Sequence, residues 1–404
     1  MIRIKNRTCI SENGSTRATA YGMSNKIISH ENRVFLAWLD HVADIQMRVY
    51  DRKTESWGDT ILVGKGVDNH SGPAITMDSY GYIHTVFGPH HGPFEYLYPA
   101  HPYDIRLWND PIQFGEMATY PSLICGPDDT LYAAYRSSSD IRNWRIHFHK
   151  KPLQRDWSVS KPILDIGVPD YGWLGNSLAI DADRRLHMAF CIYDQHPPGG
   201  KAYGYLWSDN DGVTWKNTAG EIMDLPVTPE SDCFIMQDPG LDLRAKNTVI
   251  GPDGKPWFVV PRLNARTVEL NHLTADGWEK IDLRPHLHQS FPNLEIVDGT
   301  LAFDREGTLY AAVTAGPPVE SHWAQPEQEI YLLTSDDLGQ SFHAQQVSET
   351  RPDHPSWLPS FERPYNHLPL TKPPCLLYTY GDKGTGCEGG EATRVFFVEF
   401  QKES

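Results

Sequence analysis

The chain has 404 residues, of which 40% are hydrophobic and 11% aromatic, and its formal net charge is −16. This composition is typical of a folded globular protein, and the acidic balance argues against nucleic acid or an anionic membrane surface as a partner. No apolar run approaches the roughly 20 residues that a membrane-spanning helix needs. No apolar stretch follows the basic N-terminus, so we expect no signal peptide in this sequence, and the compartment stays open.

A short pattern recurs along the chain, in which a turn rich in Asp, Gly or Asn is followed by a run of apolar residues. Each copy is typical of a β-hairpin. The copies lie near residues 31, 78, 128, 181, 253, 304 and 372, and a repeat of about 50 residues with several strands is typical of a propeller blade. We therefore predict an all-β, seven-bladed β-propeller. With no linker between the copies, we expect a single domain over residues 1–404, closed into a ring by its N- and C-terminal strands.

Two segments fit the Asp-box turn, S-x-D-x-G-x-[ST]-aromatic. They are Ser208–Trp215, with Asn210 in place of the Asp, and Ser335–Phe342. In such a turn the Asp or Asn caps backbone amides, the Gly takes a positive φ, and the final aromatic packs into the blade. The motif therefore supports the fold and carries no chemistry of its own.

His70 and His90 flank the hairpin that turns near Asp78. An antiparallel register through this turn makes the two histidines face each other at the open end of the hairpin. The open ends of the hairpins that follow carry Tyr135, Tyr193 and Arg262. Since a propeller brings these ends to one face, we expect a shared cleft there.

Histidine, tyrosine and arginine in one cleft suit β-elimination from a uronic acid. A base removes the C5 proton, an acid protonates the departing O4, and a guanidinium neutralises the carboxylate. The residues expected to contact substrate in this cleft are Asn69, His91, Trp173, Tyr193, Arg142, Arg262 and Asn264. Trp173 is equally compatible with packing in the propeller.

The stretch Asp68–Phe94 resembles the seven-bladed propeller polysaccharide lyases, which include the ulvan lyases and the L-rhamnose-α-1,4-D-glucuronate lyases. The likeness continues more thinly through residues 131–136, 143–145 and 190–193. It implies a lyase that cleaves a 4-O-linked glucuronate or iduronate, attached to rhamnose, and leaves a 4,5-unsaturated uronate. The catalytic roles that the resemblance implies fall on His70, His90, Tyr135 and Arg145, with Arg145 preferred over Arg142.

The resemblance implies no cofactor for the chemistry, although a structural Zn²⁺ or Ca²⁺ is compatible with it. Cys233, His272, His286 and His288 are candidate ligands, but their spacing is not that of a metal site, and we assign no metal ligand. The expected partner is an acidic polysaccharide or oligosaccharide, bound by a monomer. Two alternatives stay open, namely a sialidase-like glycoside hydrolase and a carbohydrate-binding propeller without catalysis.

Overall fold

The fold is almost entirely β. A computed structural model describes residues 1–138, 143–167, 171–194, 201–238, 240, 243–244, 246–318, 324–351 and 353–403, and the side chains of Tyr193 and Asp194 lie outside this description. The described part contains one short helix, α1 (Leu283–His288), which ends at the beginning of a turn. None of its helices is long and apolar enough to cross a membrane.

The strands follow one another along the chain as short, mostly apolar segments. The first thirteen are β1 (Ile2–Gly14), β2 (Ile27–His30), β3 (Arg33–Asp40), β4 (Asp44–Asp51), β5 (Ser56–Trp57), β6 (Ile61–Lys65), β7 (Ala74–Met77), β8 (Ile83–Phe87), β9 (Gly92–Leu97), β10 (Ile112–Cys125), β11 (Leu131–Ser138), β12 (Trp144–Lys151) and β13 (Lys161–Asp165). The others are β14 (Gly172–Ile180), β15 (Leu186–Asp194), β16 (Ala202–Ser208), β17 (Phe234–Gln237), β18 (Thr248–Ile250), β19 (Pro256–Arg262), β20 (Thr267–Thr274), β21 (Gly277–Asp282), β22 (Glu295–Phe303), β23 (Leu309–Gly316), β24 (Glu329–Ser335), β25 (His343–Gln346), β26 (Ser356–Phe361), β27 (Leu376–Tyr380) and β28 (Thr393–Lys402).

Consecutive strands pair in antiparallel order and form propeller-like blades of four strands. Strands β14–β17, β18–β21 and β22–β25 are separate four-stranded sheets, whereas β7–β13 form one larger sheet. The larger sheet arises because β10 is long, and its first half pairs with β9 while its second half pairs with β11. The chain's first and last strands pair from Ile2 opposite Lys402 to Gly14 opposite Thr393, as the sequence predicts.

The recurring turn is held by the Asp that opens it. The Asp78 carboxylate accepts hydrogen bonds from the backbone amides of Tyr80 and Tyr82, and its other oxygen lies 3.2 Å from His84 Nε2. The turn at Asp304 repeats this geometry, with the Tyr310 hydroxyl in the place of the imidazole. Because one side chain satisfies the amides of a tight turn, the predicted hairpins form where the Asp recurs.

Both Asp-box segments adopt the predicted turn. Asn210 Oδ1 accepts a hydrogen bond from the Thr214 amide at 2.9 Å, and Gly212 has a φ of +76°. Asp337 and Gly339 repeat these roles in the second segment. The final aromatic of the first segment, Trp215, is completely buried among side chains of two neighbouring blades.

Replacing Trp215 with alanine is expected to lower the free energy of unfolding by about 3–5 kcal/mol, because it leaves a large cavity between two sheets. Chemical denaturation followed by circular dichroism measures this loss. The matched variant Phe342→Ala removes the corresponding aromatic of the second segment, which is only partly buried, and should cost clearly less. Equal losses in the two variants would contradict the dependence on burial.

The inner strands of neighbouring blades, such as β7 and β14, run in the same direction. They therefore all begin at one end of the molecule and finish at the other. Strands β7 and β14 begin at the end where His70 and Trp173 lie. The opposite end, around Thr76, Ile124 and Ala179, lines a separate cavity of about 380 Å³. The entry end of the inner strands is therefore the place where loops from several blades meet.

Candidate active site

Asp68 joins two imidazoles at the entry end of β7. Its Oδ1 atom lies 3.1 Å from His70 Nδ1, and its Oδ2 atom lies 2.8 Å from His90 Nδ1. The two rings stack with their centroids 4.1 Å apart. The observed β7–β8 register, with Ala74 opposite Val86, continues outward to place His70 opposite His90.

The turn that carries Asp68 and His70 is fixed by short-range contacts. Ser71 Oγ accepts hydrogen bonds from the amides of Val67 and Asp68, and Asp68 Oδ1 accepts one from the His70 amide at 2.7 Å. A Cβ atom at Gly72 would lie only 2.5 Å from the carbonyl oxygen of Ala20. Glycine is therefore required for this close approach, which brings the segment before β2 against the histidines.

Arg17 sets the tautomer of His70. Its Nη1 atom lies 2.7 Å from His70 Nε2, and since a guanidinium only donates hydrogen bonds, Nε2 accepts and the Nδ1 proton points to Asp68. Burial, with the charges of Arg17 and His90, lowers the pKa of His70 to about 4. Burial alone would raise the pKa of Asp68, but the hydrogen bonds from His70 and His90 outweigh it and hold that pKa well below its usual value.

Arg136 is a fully buried guanidinium held between aromatic rings. Its Cζ atom lies 4.5 Å from the ring centre of Tyr120 and 4.4 Å from that of Trp144, and Nη1 donates to the Tyr171 hydroxyl at 3.2 Å. In the described part of the chain, its Nε and Nη2 atoms have no hydrogen-bond partner. A buried cation that faces aromatic rings and one hydroxyl, without an acidic partner among the described residues, favours the arrival of an anion.

Tyr120 stands between the histidine pair and Arg136. Its ring centre lies 6.1 Å from that of His70 and 4.5 Å from that of Tyr21. The residue has a φ of +60°, at a register shift between Thr119 and Ser122 in β10. Such a bulge re-aims a side chain. Burial raises the pKa of the Tyr120 hydroxyl, which therefore keeps its proton at neutral pH.

Three residues predicted to contact substrate lie at this cluster. His91 stacks on His90 at 4.1 Å, and burial together with the charges of His90 and Arg136 lowers its pKa to about 4. Trp173 lies 6.0 Å from Tyr120, ring centre to ring centre. Asn69 binds Thr16 Oγ1 through its Nδ2 atom at 2.9 Å, so its amide serves the loop structure.

The structure does not bring Tyr135 and Arg145 to the histidine pair. Tyr135 is fully buried and shares a hydrogen bond of 2.8 Å with His149, on the face of β11 opposite to that of Arg136. Arg145 lies in β12, where its Nε atom donates to Asp165 at 2.7 Å. It lines a separate cavity of about 560 Å³. The common cleft predicted for these two residues with the histidines is therefore not formed.

The other predicted positions lie elsewhere or outside the description. Arg262 pairs with Glu269 at 2.8 Å, and Asn264 donates to the carbonyl oxygen of Gly240 at 3.0 Å. Arg262 is the last residue of β19 and Asn264 lies in the turn that follows, and neither has a contact with His70 or His90 among the described residues. Arg142 and the side chain of Tyr193 lie outside the described residues.

Sequence reasoning missed four side chains of this cluster: Arg17, Tyr21, Tyr120 and Arg136. Arg136 follows Tyr135 directly, and alternation along β11 would have placed the two on opposite faces. For Tyr120 the available signal is the Pro121 that follows it, which marks an irregular strand. Arg17 and Tyr21 lie before the first recognisable repeat, in a segment without periodicity.

The candidate metal ligands considered in the sequence do not form a site. His272 bonds to Asp253 at 2.8 Å, and His288 bonds to the carbonyl oxygen of Leu294 at 2.7 Å. Within the described ranges, none of the four candidates, Cys233 and His286 included, joins a group of three metal-ligating side chains. These residues therefore do not fit a structural Zn²⁺ or Ca²⁺, and no step of the chemistry is built on one.

The fold is similar to those of solved polysaccharide lyases. One is an ulvan lyase, described as a new family of polysaccharide lyase and solved bound to -[GlcA(1-4)Rha3S]-. It superposes with a TM-score of 0.73 at 14% identity and covers 96% of this chain and 95% of its own. The polysaccharide lyase Uly1 superposes with a TM-score of 0.62 at 15% identity, over 98% of this chain and 99% of its own. At these identities the likeness concerns the fold.

The sequence comparisons point in the same direction. The ulvan lyase of Nonlabens ulvanivorans is 24% identical over 386 residues, which cover 83% of this chain and 79% of that protein. A family model described as BNR repeat-containing family member matches residues 33–285. Because this match spans more than half of the chain, the protein belongs to the BNR repeat-containing family.

Proposed function

We propose that the protein is a polysaccharide lyase that cleaves a 4-O-linked glucuronate or iduronate, attached to rhamnose, by β-elimination. The observation that carries the proposal is the pair of Asp-linked histidines beside a buried guanidinium without a carboxylate partner in the described chain. The names of the relatives, which are ulvan lyases, support the same class of enzyme.

The uronate carboxylate would bind Arg136. Tyr171 covers this guanidinium and is 38% exposed, so its hydroxyl is the partner that a carboxylate can replace. Nη2 and Nε then offer further donors to the same anion. The guanidinium stabilises the charge that develops on the carboxylate when the C5 proton leaves, in surroundings where rings exclude water.

His90 is the side chain best placed to take the C5 proton. Its Nδ1 atom donates to the ionised Asp68, which leaves the Nε2 lone pair without a protein partner among the described residues. The side chain is 21% exposed, against 9% for His70. His70, held by Asp68 and Arg17, supports the orientation of its neighbour through ring stacking.

Tyr120 is the side chain best placed to protonate the departing O4. Its hydroxyl keeps its proton because burial raises its pKa, and its ring lies between His70 and Arg136. An acid and a base on the two sides of the uronate ring complete the elimination, in which the C5–H bond and the C4–O4 bond break and a C4–C5 double bond forms.

Incubation with ulvan, gum arabic and rhamnosyl-glucuronate oligosaccharides tests the proposed activity. We expect a rise in near-ultraviolet absorbance, because the product carries a double bond conjugated with its carboxylate. Mass spectrometry should show that the two products together have the mass of the substrate without added water. Release of saturated sugars, each cut adding one water, would indicate a hydrolase instead.

Tyr135→Phe and Arg145→Gln are expected to keep lyase activity within about threefold of the unaltered protein, because neither residue contacts the histidine cluster. Tyr135→Phe should lower the free energy of unfolding by about 1–3 kcal/mol, since His149 loses a buried partner. Initial rates and thermal unfolding measure the two effects. A hundredfold loss of activity in a variant that stays folded would show that the replaced residue takes part in the reaction.

We also propose that the blades number seven and form a closed ring. Three four-stranded sheets, the division of β10 between two blades, and the pairing of β1 with β28 support this count.

The expected partner of such a ring is an acidic polysaccharide or oligosaccharide, bound by a monomer.

A further inference from the structure

Four metal-ligating atoms at the histidine pair lie within 4.8 Å of one another. They belong to Asp68, His70, His90 and Cys387. This is the one such group among the residues that the structure describes. Two imidazoles, a carboxylate and a thiolate are a donor set of the kind that Zn²⁺ takes in proteins. Cys387 has no part in the elimination proposed above, so its presence beside the histidines needs a separate explanation.

The loop of Cys387 is fixed to the turn that carries the histidine. The Asn69 amide donates to the carbonyl oxygen of Cys387 at 3.0 Å, and Asn69 Nδ2 donates to that of Gly386 at 3.2 Å. The thiol is half-buried, so an ion can reach it. Because Asn69 lies between Asp68 and His70 in the chain, these bonds tie the loop to two other members of the group.

The geometry is close to that of a tetrahedral zinc site. In a tetrahedral site with one sulfur, zinc–nitrogen bonds of about 2.0 Å and zinc–sulfur bonds of about 2.3 Å correspond to ligand separations of roughly 3.3–3.5 Å. Since every pair in the group lies within 4.8 Å, no two ligand atoms need to approach by more than about 1.3 Å. Asp68 is already in contact with both imidazoles, at 3.1 and 2.8 Å, so most of this movement falls on Cys387 in its glycine-rich loop.

We propose that this group is an inhibitory Zn²⁺ site, which stops the lyase when it is occupied. The ion takes the lone pairs of the two imidazoles, one oxygen of Asp68 and the Cys387 sulfur, and the thiol proton leaves to solvent. Coordination at His70 Nδ1 moves its proton to Nε2, where it faces Arg17 and breaks that hydrogen bond. The inhibition rests on the proposed function, whereas the binding of the ion does not.

Cobalt(II) tests the binding without any assay of activity. Protein freed of metal by EDTA and dialysis is titrated with CoCl₂, and we expect a near-ultraviolet band from thiolate-to-cobalt charge transfer, with visible bands typical of tetrahedral cobalt. ZnCl₂ should displace the cobalt and remove both bands. Calcium should leave them unchanged, because it prefers oxygen donors.

Cys387→Ser is the decisive variant, and Cys9→Ser is its matched control, since Cys9 is a half-buried thiol whose bonds are to Ser11 and Glu12. Cys387→Ser should lose the charge-transfer band and weaken zinc binding by about tenfold or more, whereas Cys9→Ser should keep both. Absence of cobalt binding, or a charge-transfer band that persists in Cys387→Ser, would overturn the site.

Measurements of lyase activity then separate the proposed zinc site from the proposed lyase function. In an active preparation, Cys387→Ser should keep its basal rate, and the ZnCl₂ concentration that halves the rate should rise by about tenfold or more. Equal sensitivity to zinc in both proteins would overturn the inhibitory role. A protein that binds cobalt through Cys387 but never forms an unsaturated product retains the metal site and contradicts the lyase.

Discussion

Replacing His90 with alanine is expected to lower kcat/KM on a uronate polymer by about a thousandfold, because a positioned general base contributes roughly two to four orders of magnitude. The fold should survive the change, since the imidazole lies at the open end of a hairpin and is partly exposed. Initial rates of near-ultraviolet absorbance, with circular dichroism of the same samples, measure both effects.

His187→Ala is the matched control for this experiment. His187 is also an imidazole bonded to an Asp, with Nε2 3.2 Å from Asp181, but it lies at the turn of its hairpin, the end away from the entry of β14. Its loss should lower stability and leave the rate of the folded protein within about threefold. If His90→Ala stays active while His70→Ala is inactive, the base is His70, and the assignment from the hydrogen bonds is wrong.

The repeat could be predicted from the sequence because its causes are local. The clearest hairpins depend on an Asp or Asn that binds amides two to four residues away, as Asp78 and Asn210 do. The position of His70 opposite His90 follows from the same local rule, since a register fixed by a tight turn extends along both strands. These features need no knowledge of the rest of the chain.

The remainder of the site depends on details that a regular strand does not reveal. Tyr135 and Arg136 are neighbours in β11 and point to opposite faces. An error of one residue in the position assigned to the site therefore selects the buried tyrosine instead of the guanidinium that lies there. Tyr120 reaches the site through a bulge with a positive φ. Arg17 arrives from a segment whose approach depends on Gly72, far along the chain. Such contacts follow from packing, not from periodicity.

Arg136→Gln is expected to lower kcat/KM on a uronate polymer by about a thousandfold, since a buried guanidinium acting on a developing negative charge contributes several kcal/mol. Arg136→Lys should recover little, because an ammonium cannot reproduce the planar set of donors held between Tyr120 and Trp144. Thermal unfolding of both variants shows whether the loss of activity reflects the reaction itself or a loss of folded protein. The rates are compared for samples that melt above the assay temperature.

A substrate with a methyl-esterified uronate isolates the role of the charge. The ester has no carboxylate for the guanidinium to neutralise, so the unaltered protein should lose most of its rate advantage over Arg136→Gln. The ratio of the two rates should fall from about a thousand on the acid to below about ten on the ester. Both substrates still require His90, and His90→Ala should stay inactive on each of them. If the ratio for Arg136→Gln is the same on acid and ester, the guanidinium acts on the packing of Tyr120 and Trp144, and another cation must bind the carboxylate. Arg17, which already contacts His70, would be the first side chain to replace.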